Sequence, residues 1–578
     1  MASKDALLAA RPWLKFYPAE VPAEIDLAAV PTVAGVIERA FRDYPARAAF
    51  ESFGKRLSYA EVERAARRIT AWLQQRGYAK GDRIAMMMPN VMAYPVAMFG
   101  ALIGGYAVVN VNPLYTAREL VHQIKDSGAR ALFVLENFGA TVEEALPDLR
   151  LDDVVLCAPG DLLGLKGHVV NFVSRHIKKG VKPFSLPRAR RLSEVLATAV
   201  PARPVTVTGE DIAFLQYTGG TTGVAKGAVL LHRNVGANLQ QCMAWIDPFL
   251  DEPAEGHVQV AALPFYHIYG LTCCCLFMAA RGGCCLLITN PRDIDGFVKT
   301  LRGSRFTITT GVNTLYNALA NHPDIGKVDF SQLAYANAGG MAMQQAVAAH
   351  WKQLTGRPVV EGYGLSETSP VVSINQMNLK DFSGTIGLPV PSTEVVVRGS
   401  DGQDMPLGEA GELCVRGPQI MAGYWQRPEE TAKALTADGY FRTGDVAMML
   451  PNGELKIVDR MKDMVLVSGF NVYPNEVEDV LAMHPGVLEA AVIGVPDAHS
   501  GEVVTAYVVR KDPALTEAAL RAHCRGLLTA YKVPRRVVFR DSLPKTNVGK
   551  VLRRVLRDEA LAETEATPQA ALAQLPSS

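Results

Sequence analysis

Ile212-Ala213-Phe214-Leu215-Gln216-Tyr217-Thr218-Gly219-Gly220-Thr221-Thr222-Gly223-Val224-Ala225-Lys226-Gly227 begins as an apolar strand and runs straight into a loop. From Tyr217 onward that loop holds four glycines, three threonines and a lysine. Glycines let backbone N–H groups turn toward an anion, threonine hydroxyls add donors, and the lysine brings a mobile positive charge. The segment is built to hold phosphate. It is not a Walker loop, because Lys226 follows Ala225 and the Gly-Lys-Ser/Thr ending is missing. A strand ending in such a turn belongs to an α/β sheet, where ligands gather at the carboxyl ends of the strands.

Outward from this point, short apolar runs alternate with helix-length segments. Strands are expected at Arg83 to Met88, Tyr106 to Val111, Ala131 to Leu135, Gln259 to Leu263 and Cys284 to Ile288, with a helix at Val91 to Ile103. This alternation predicts an α/β fold with largely parallel sheets. From Pro389 to Gly417 the texture becomes short alternating strands with turns, such as Glu394 to Arg398 and Glu412 to Arg416, predicting a small β-rich subdomain. Beyond Asp459-Arg460 a compact α+β unit is expected. Its strands are Met464 to Val467, Val487 to Val495 and Val503 to Val509, and its helices Pro474 to Met483 and Thr516 to Leu527. The division falls into a large domain, 1–461, and a small C-terminal domain, 462–578, with a frayed tail from Ala566 to Ser578.

Composition sets limits on function. A chain of 578 residues, 49% hydrophobic and 20% charged, buries at least one large core and is no small binding module. A net charge of +1 gives no reason to expect nucleic acid as a partner. Nine cysteines show no metal-ligand spacing, and Cys273 to Cys275, Cys284 and Cys285 sit in apolar runs, so reduced core residues in a cytoplasmic protein are expected. The N-terminus lacks the apolar block of a secretory signal. Ile84 to Ala117 is uncharged and long enough to span a bilayer, but Pro89, Asn90, Pro95, Gly104 and Gly105 interrupt it, and a buried strand, helix and strand fits better.

Further motifs share the loop's vocabulary. They are Asn337-Ala338-Gly339-Gly340, Glu361-Gly362-Tyr363-Gly364-Leu365-Ser366-Glu367-Thr368, Tyr440-Phe441-Arg442-Thr443-Gly444-Asp445 and Pro544-Lys545-Thr546-Asn547-Val548-Gly549-Lys550. Taken singly, each has a plainer place: Glu367 as a solvated charge, Tyr363 as a turn residue, Asp445 as a turn aspartate, Lys550 as one cation of a basic tail. Taken in order, they make the chain from about residue 30 to 557 resemble the adenylate-forming superfamily of acyl-CoA synthetases, luciferases and peptide-synthetase adenylation domains.

The resemblance implies two α/β sheet subdomains plus the β-rich one in the large domain, a mobile small domain, and ATP, Mg²⁺ and coenzyme A as cofactors and co-substrates. It assigns Thr218, Gly219, Gly220, Thr221, Thr222, Gly223 and Lys226 to the phosphates, and Glu367 with Thr222 to the metal. Tyr363, between Gly362 and Gly364, would stack on adenine; Gly339 and Gly340 would line adenine and the acyl pocket; Thr368 would donate to the α-phosphate. Asp445, completed by Arg460, would hold the ribose hydroxyls, as a carboxylate with two oxygens can. His267, in Pro264-Phe265-Tyr266-His267-Ile268-Tyr269-Gly270, would orient the acid or shape the acyl entrance. Lys550 would bridge the two anions that meet during adenylation. The hinge lies near 459–462, at Lys462, and rotation would bring Gly469 beside the pantetheine thiol.

Trp13-Leu14-Lys15-Phe16-Tyr17-Pro18 and Val109-Asn110-Val111-Asn112-Pro113-Leu114-Tyr115-Thr116 resemble the bacterial long-chain fatty acid branch. A fatty acid is thus the implied substrate, with a medium-chain or aryl acid as the alternative. A fatty acyl-AMP ligase is disfavoured by the uninterrupted passage Asp459 to Asn475, and an inactive sensor by the presence of Lys550 and Glu367. Between Lys166 and Arg191 lie eight basic residues and no acidic one, interleaved with Val169, Phe172 and Ile177. This segment is either a solvated basic loop or a peripheral contact with the cytoplasmic membrane face. A homodimer is also compatible with the sequence.

Overall fold

The computed structural model describes residues 11–29, 32–218, 225–497, 499–546 and 549–572, with side chains to Glu563. Among them, four sheets form. Ile212–Thr218 lies beside Ala107–Asn110 inside an eight-stranded sheet, whose parallel members Arg83–Met87, Ala131–Leu135 and Asp153–Cys157 continue outward. On its other side Lys226–Leu231 returns antiparallel. The uncharged stretch resolves as expected into the strand Arg83–Met87, the fully buried helix Ala93–Ile103 and the strand Ala107–Asn110. A helix apolar all round is stable only when covered on every side, and this one lies in the main core.

A nine-stranded sheet holds the second α/β layer. Its parallel strands Val258–Ala261, Ile308–Gly311, Tyr335–Gly339 and Val360–Gly364 lie side by side, so their carboxyl ends share one edge. Behind it, Trp351 on the helix Gln345–Thr355 is fully buried, edge-on to Tyr316 at 4.7 Å and to Phe330 at 5.6 Å. The β-rich part is a four-stranded antiparallel sheet, Glu394–Arg398, Gly411–Arg416, Phe441–Met449 and Leu455–Arg460.

From Val465 a separate sheet begins, in which the long pair Val487–Asp497 and Gly501–Arg510 carries Val465–Val467 on one edge and a parallel partner, Arg536–Arg540. It packs a core of its own, with Val477 and Leu481 from the helix Pro474–Ala482 and Leu520 and Cys524 from the helix Glu517–Leu527. The tail begins as a helix, Arg553–Leu572, which takes in residues 566–572 of the stretch expected to fray, while 573–578 lie outside the described residues; Glu, Ala and Leu are strong helix formers, and Leu556 and Ala560 anchor its start in a second small core. All nine cysteines are free, and all but Cys273 are buried.

Because Trp351 contributes packing without a hydrogen bond to its indole nitrogen, Trp351→Ala should destabilise the large domain by about 3–5 kcal/mol. Urea unfolding followed by tryptophan fluorescence and circular dichroism would measure this; a loss below ~1 kcal/mol would contradict the packing role assigned to it.

Candidate active site

The carboxyl ends of both α/β sheets open into a single cavity of about 1680 Å³ that continues between the large and small domains. One ligand usually fills about 300–1,000 Å³, so this space suits several bound groups. Thr218 and Lys226 stand at its rim, while Gly219, Gly220, Thr221, Thr222 and Gly223 lie outside the described residues. The Lys226 ammonium is ion-paired with Glu430 and sits 5.3 Å from the centre of the Tyr424 ring.

Across the cavity, the strand Val360–Gly364 and the short turn after it deliver Gly362, Tyr363, Gly364 and Glu367. Glu367 is buried, takes a hydrogen bond from the Tyr424 hydroxyl at 2.8 Å, and has no ion pair among the described residues; burial raises its carboxyl above the usual range. A buried carboxylate without a cation partner can hold a divalent ion whose other ligands are phosphate and water. No cluster of three or more acidic, histidine or cysteine ligands occurs among the described residues. Thr368 is set apart from these residues. It is fully buried, its hydroxyl donates to the carbonyls of Pro370 and Leu365, and it lies outside the cavity lining.

Asp445 and Arg460 are paired across the antiparallel strands Phe441–Met449 and Leu455–Arg460, which brings their side chains to 3.4 Å. The Tyr363 hydroxyl donates to the other oxygen of Asp445 at 2.6 Å. An aromatic face and a carboxylate are thereby held at a fixed spacing, the arrangement a nucleoside needs. Gly339 and Gly340 end the strand Tyr335–Gly339, and a Cβ at Gly340, whose φ is +78°, would stand 3.3 Å from Lys550 Cε. Lys550 thus reaches over the sheet edge from the small domain.

Burial pushes the Lys550 ammonium down to about 8, with Arg460 adding to the fall and Asp445 and Glu367 opposing it. No ion pair is formed by Lys550 among the described residues. His267 lies nearby at the cavity wall; burial, helped by Lys550, lowers its imidazole to about 3, so it is neutral at physiological pH. Its Nδ1 accepts from the Tyr269 N–H at 3.3 Å, leaving Nε2 as the proton-bearing atom available to a substrate oxygen. Lys462 also lines the cleft, pushed down to about 8 by burial and Arg460. Gly469 does not join these residues: it forms an exposed turn at φ +85° outside the cavity lining.

Several lining groups escaped the sequence motifs. Thr314 Oγ1 donates to the Gly549 carbonyl at 3.1 Å, Asn317 Nδ2 to the Leu488 carbonyl at 2.9 Å, and Lys511 Nζ to Asn321 Oδ1 at 2.9 Å, and these bonds hold the small domain against the large one. Glu361, buried, with one oxygen accepting from the Met343 N–H and the other unpartnered, is raised by burial to about 8. A deeper lobe is lined by Cys242, Ile246, Cys273, Phe277 and Tyr335. Cys273 lies in a π-helical turn, Leu271–Leu276.

Comparison with known proteins agrees with this geometry. A model of the AMP-binding enzyme family matches residues 37–425, and one of the AMP-binding enzyme C-terminal domain matches residues 476–550. A long-chain-fatty-acid–CoA ligase of Salmonella typhimurium is 52% identical over 552 residues, covering 95% of this chain and 98% of that one. A ligase of the same description from Yersinia pestis is 53% identical over 551 residues, with the same coverage of 95% and 98%. Among solved structures, an anthranilate CoA ligase in complex with anthranoyl-AMP superposes with a TM-score of 0.82 at 24% identity, over 93% of this chain and 100% of that one, a likeness of fold.

If Lys550 must be protonated for adenylation, kcat/KM for acid-dependent ATP/pyrophosphate exchange should fall as pH rises through about 8, the value to which burial lowers it. Lys550→Arg should move that alkaline limb upward whereas Lys462→Arg should not. A profile flat to about pH 9.5 in the wild type would contradict the role given to Lys550.

Proposed function

The chain belongs to the AMP-binding enzyme family, and from that premise we propose that it joins a long-chain fatty acid to coenzyme A at the expense of ATP, releasing AMP and pyrophosphate. The carrying observation is the position of Lys550, delivered by a second domain to the edge where Gly340, His267, Asp445 and Glu367 converge. The division of the chain at about residue 462, with the hinge at 459–462, belongs to the same reading.

In the first half-reaction a carboxylate oxygen attacks the α-phosphorus and the bond to pyrophosphate breaks. Two anions approach each other, and Lys550 neutralises the charge that builds between them. Tyr363 offers its ring to adenine while its hydroxyl braces Asp445 for the ribose. His267 donates from Nε2 to the acid and orients it. Thr368 acts indirectly, by fixing the turn that carries Glu367. The loop 218–226 takes the phosphates through its N–H groups, hydroxyls and Lys226. Glu367 and Thr222 would hold Mg²⁺, which when bound would supply positive charge to the phosphates.

In the second half-reaction the thiol sulfur of coenzyme A attacks the acyl carbon and AMP leaves. Rotation of the small domain withdraws Lys550 and brings Gly469 to the cavity, which is why Gly469 stands apart in the present arrangement. The apolar lobe beside Cys242 and Phe277 takes the acyl chain, where burial of each CH₂ contributes about 0.8 kcal/mol. Among the described residues no helix is long and apolar enough to cross a membrane. A cytoplasmic enzyme in peripheral contact with the membrane face that holds its acid completes the reading.

Two measurements test it. Lys550→Ala should lower pyrophosphate exchange by roughly 10²–10³-fold, about 2–4 kcal/mol, yet spare thioester formation from supplied acyl-adenylate; equal loss of both steps would contradict the assignment. Across acids from acetate to oleate, wild-type turnover should favour the long chains, and Cys242→Trp should shift the preference to shorter ones by filling the lobe. An unchanged chain-length profile would remove Cys242 from the acyl pocket.

A further inference from the structure

The helix Leu165–Phe172 and the π-turn Val173–Ile177 that extends it are turned inside out. Their inward face is mostly polar or bare, with Val170 half-buried against the main core. Gly167 is buried against Gly160 so closely that a Cβ on either would collide with the other's carbonyl. Asn171 Oδ1 accepts from the Gly160 N–H at 2.7 Å, and Arg175 makes two bonds of 2.8 Å to the buried carboxylate of Glu136, which Arg191 also holds at 2.7 Å. Residues 167, 171 and 175 follow one helical stripe, and all three anchor it.

The opposite stripe is apolar and faces water. Leu165 is 88% exposed, Val169 63%, Phe172 57% and Ile177 65%. A helix of an ordinary soluble surface buries its apolar stripe, so this reversal calls for a covering partner. A second chain segment adds to the same patch. The hairpin Ala48–Ser58 turns at Phe53 and Gly54, both at positive φ, and the Gly54 Cβ position lies 3.7 Å from Lys166 Nζ. Such a turn favours Asn or Asp at its first position, yet the residue there is Phe53, 55% exposed.

Charge identifies the partner. Arg175 and Arg191 are both ion-paired with Glu136, but Lys166, Lys178, Lys179, Lys182, Arg188 and Arg190 are exposed and carry no ion pair among the described residues. Apolar side chains ringed by unpaired cations match the interface of an anionic bilayer, with acyl chains beneath phosphate headgroups. We propose that the face formed by Phe53, Leu165, Val169 and Phe172, framed by Lys166, Lys178, Lys179 and Lys182, seats this protein on an anionic lipid surface. The proposal rests on the peripheral contact named above and specifies its site; the anchoring of residues 167, 171 and 175 makes that site rigid before it meets lipid.

The test is co-sedimentation of the full-length protein with vesicles of phosphatidylcholine containing one-third phosphatidylglycerol, against vesicles of phosphatidylcholine alone. Wild type should bind the anionic vesicles at least tenfold more tightly, and less so as salt rises. Leu165→Ser/Val169→Ser/Phe172→Ser and Lys178→Gln/Lys179→Gln/Lys182→Gln should each weaken binding by tenfold or more, since each cation near the surface is worth about fivefold. Phe53→Asn, which suits the turn better than phenylalanine does, should bind more weakly with an unchanged melting temperature. All variants should keep wild-type turnover of dissolved octanoate without vesicles. Equal vesicle binding by wild type and variants would overturn the proposal. So would a change from dimer to monomer in the serine variant with no vesicle binding by wild type, which would make the face a contact between copies. Vesicle binding as expected from a protein that forms no acyl-CoA from any acid would leave the docking face standing and remove the catalytic reading.

Discussion

A lysine ammonium held between two domains, short of water and without a carboxylate in contact, is the constraint around which the active cleft is organised. Burial brings Lys550 down to about 8, and the groups that counter this, Asp445 and Glu367, act only from a distance. Glu367 is the opposite case, a buried carboxylate raised by its surroundings and lacking a cation partner. Each is half of an electrostatic pair. In the proposed reaction, phosphates would complete the first and a divalent cation the second, so both protein charges would be more strongly stabilised as the reacting groups assemble.

The way Lys550 is delivered explains why the molecule has two separately cored parts. The large domain and the small one each bury their own apolar clusters, while the bonds that join them at Thr314, Asn317 and Lys511 are few and polar. Such bonds are each worth roughly 0.5–1.5 kcal/mol net, because water replaces them when they break. Separation of the domains therefore leaves both cores intact. At the boundary, Asp459 accepts from the backbone N–H of both Arg460 and Asn475, tying the last strand of the large domain to the start of the small domain's first helix. The proposed rotation would pivot there.

Motif residues were legible wherever one short stretch supplies both a backbone shape and a chemical group. Tyr363 and Glu367 share a strand end and turn, and Asp445 closes the short motif that begins at Tyr440. The parallel strands and the uncharged helix between Arg83 and Asn110 were legible for a similar reason, as uninterrupted apolar runs bounded by turn residues. Thr368 is the instructive exception. It adjoins Glu367 in the same motif, yet its hydroxyl is taken up by the Pro370 carbonyl, a bond decided by the path of the turn and not by residue type.

By itself the sequence determined the α/β class, the positions of several strands, the separate C-terminal unit and the identity of the charged groups at the cleft, because periodicity and motif spacing are local properties of the chain. It also carried the basic run 166–191, but could not say that Arg175 and Arg191 are ion-paired with Glu136 while Leu165 and Phe172 face water. Tertiary structure alone decided that, as it decided the apolar lining at Cys242, Cys273 and Tyr335, the half-satisfied carboxyl of Glu361 and the contacts of Thr314 and Asn317. These groups come from segments tens to hundreds of residues apart. Only packing against a common sheet edge brings them together, and the burial that follows sets the proton affinity of Lys550 and the neutrality of His267.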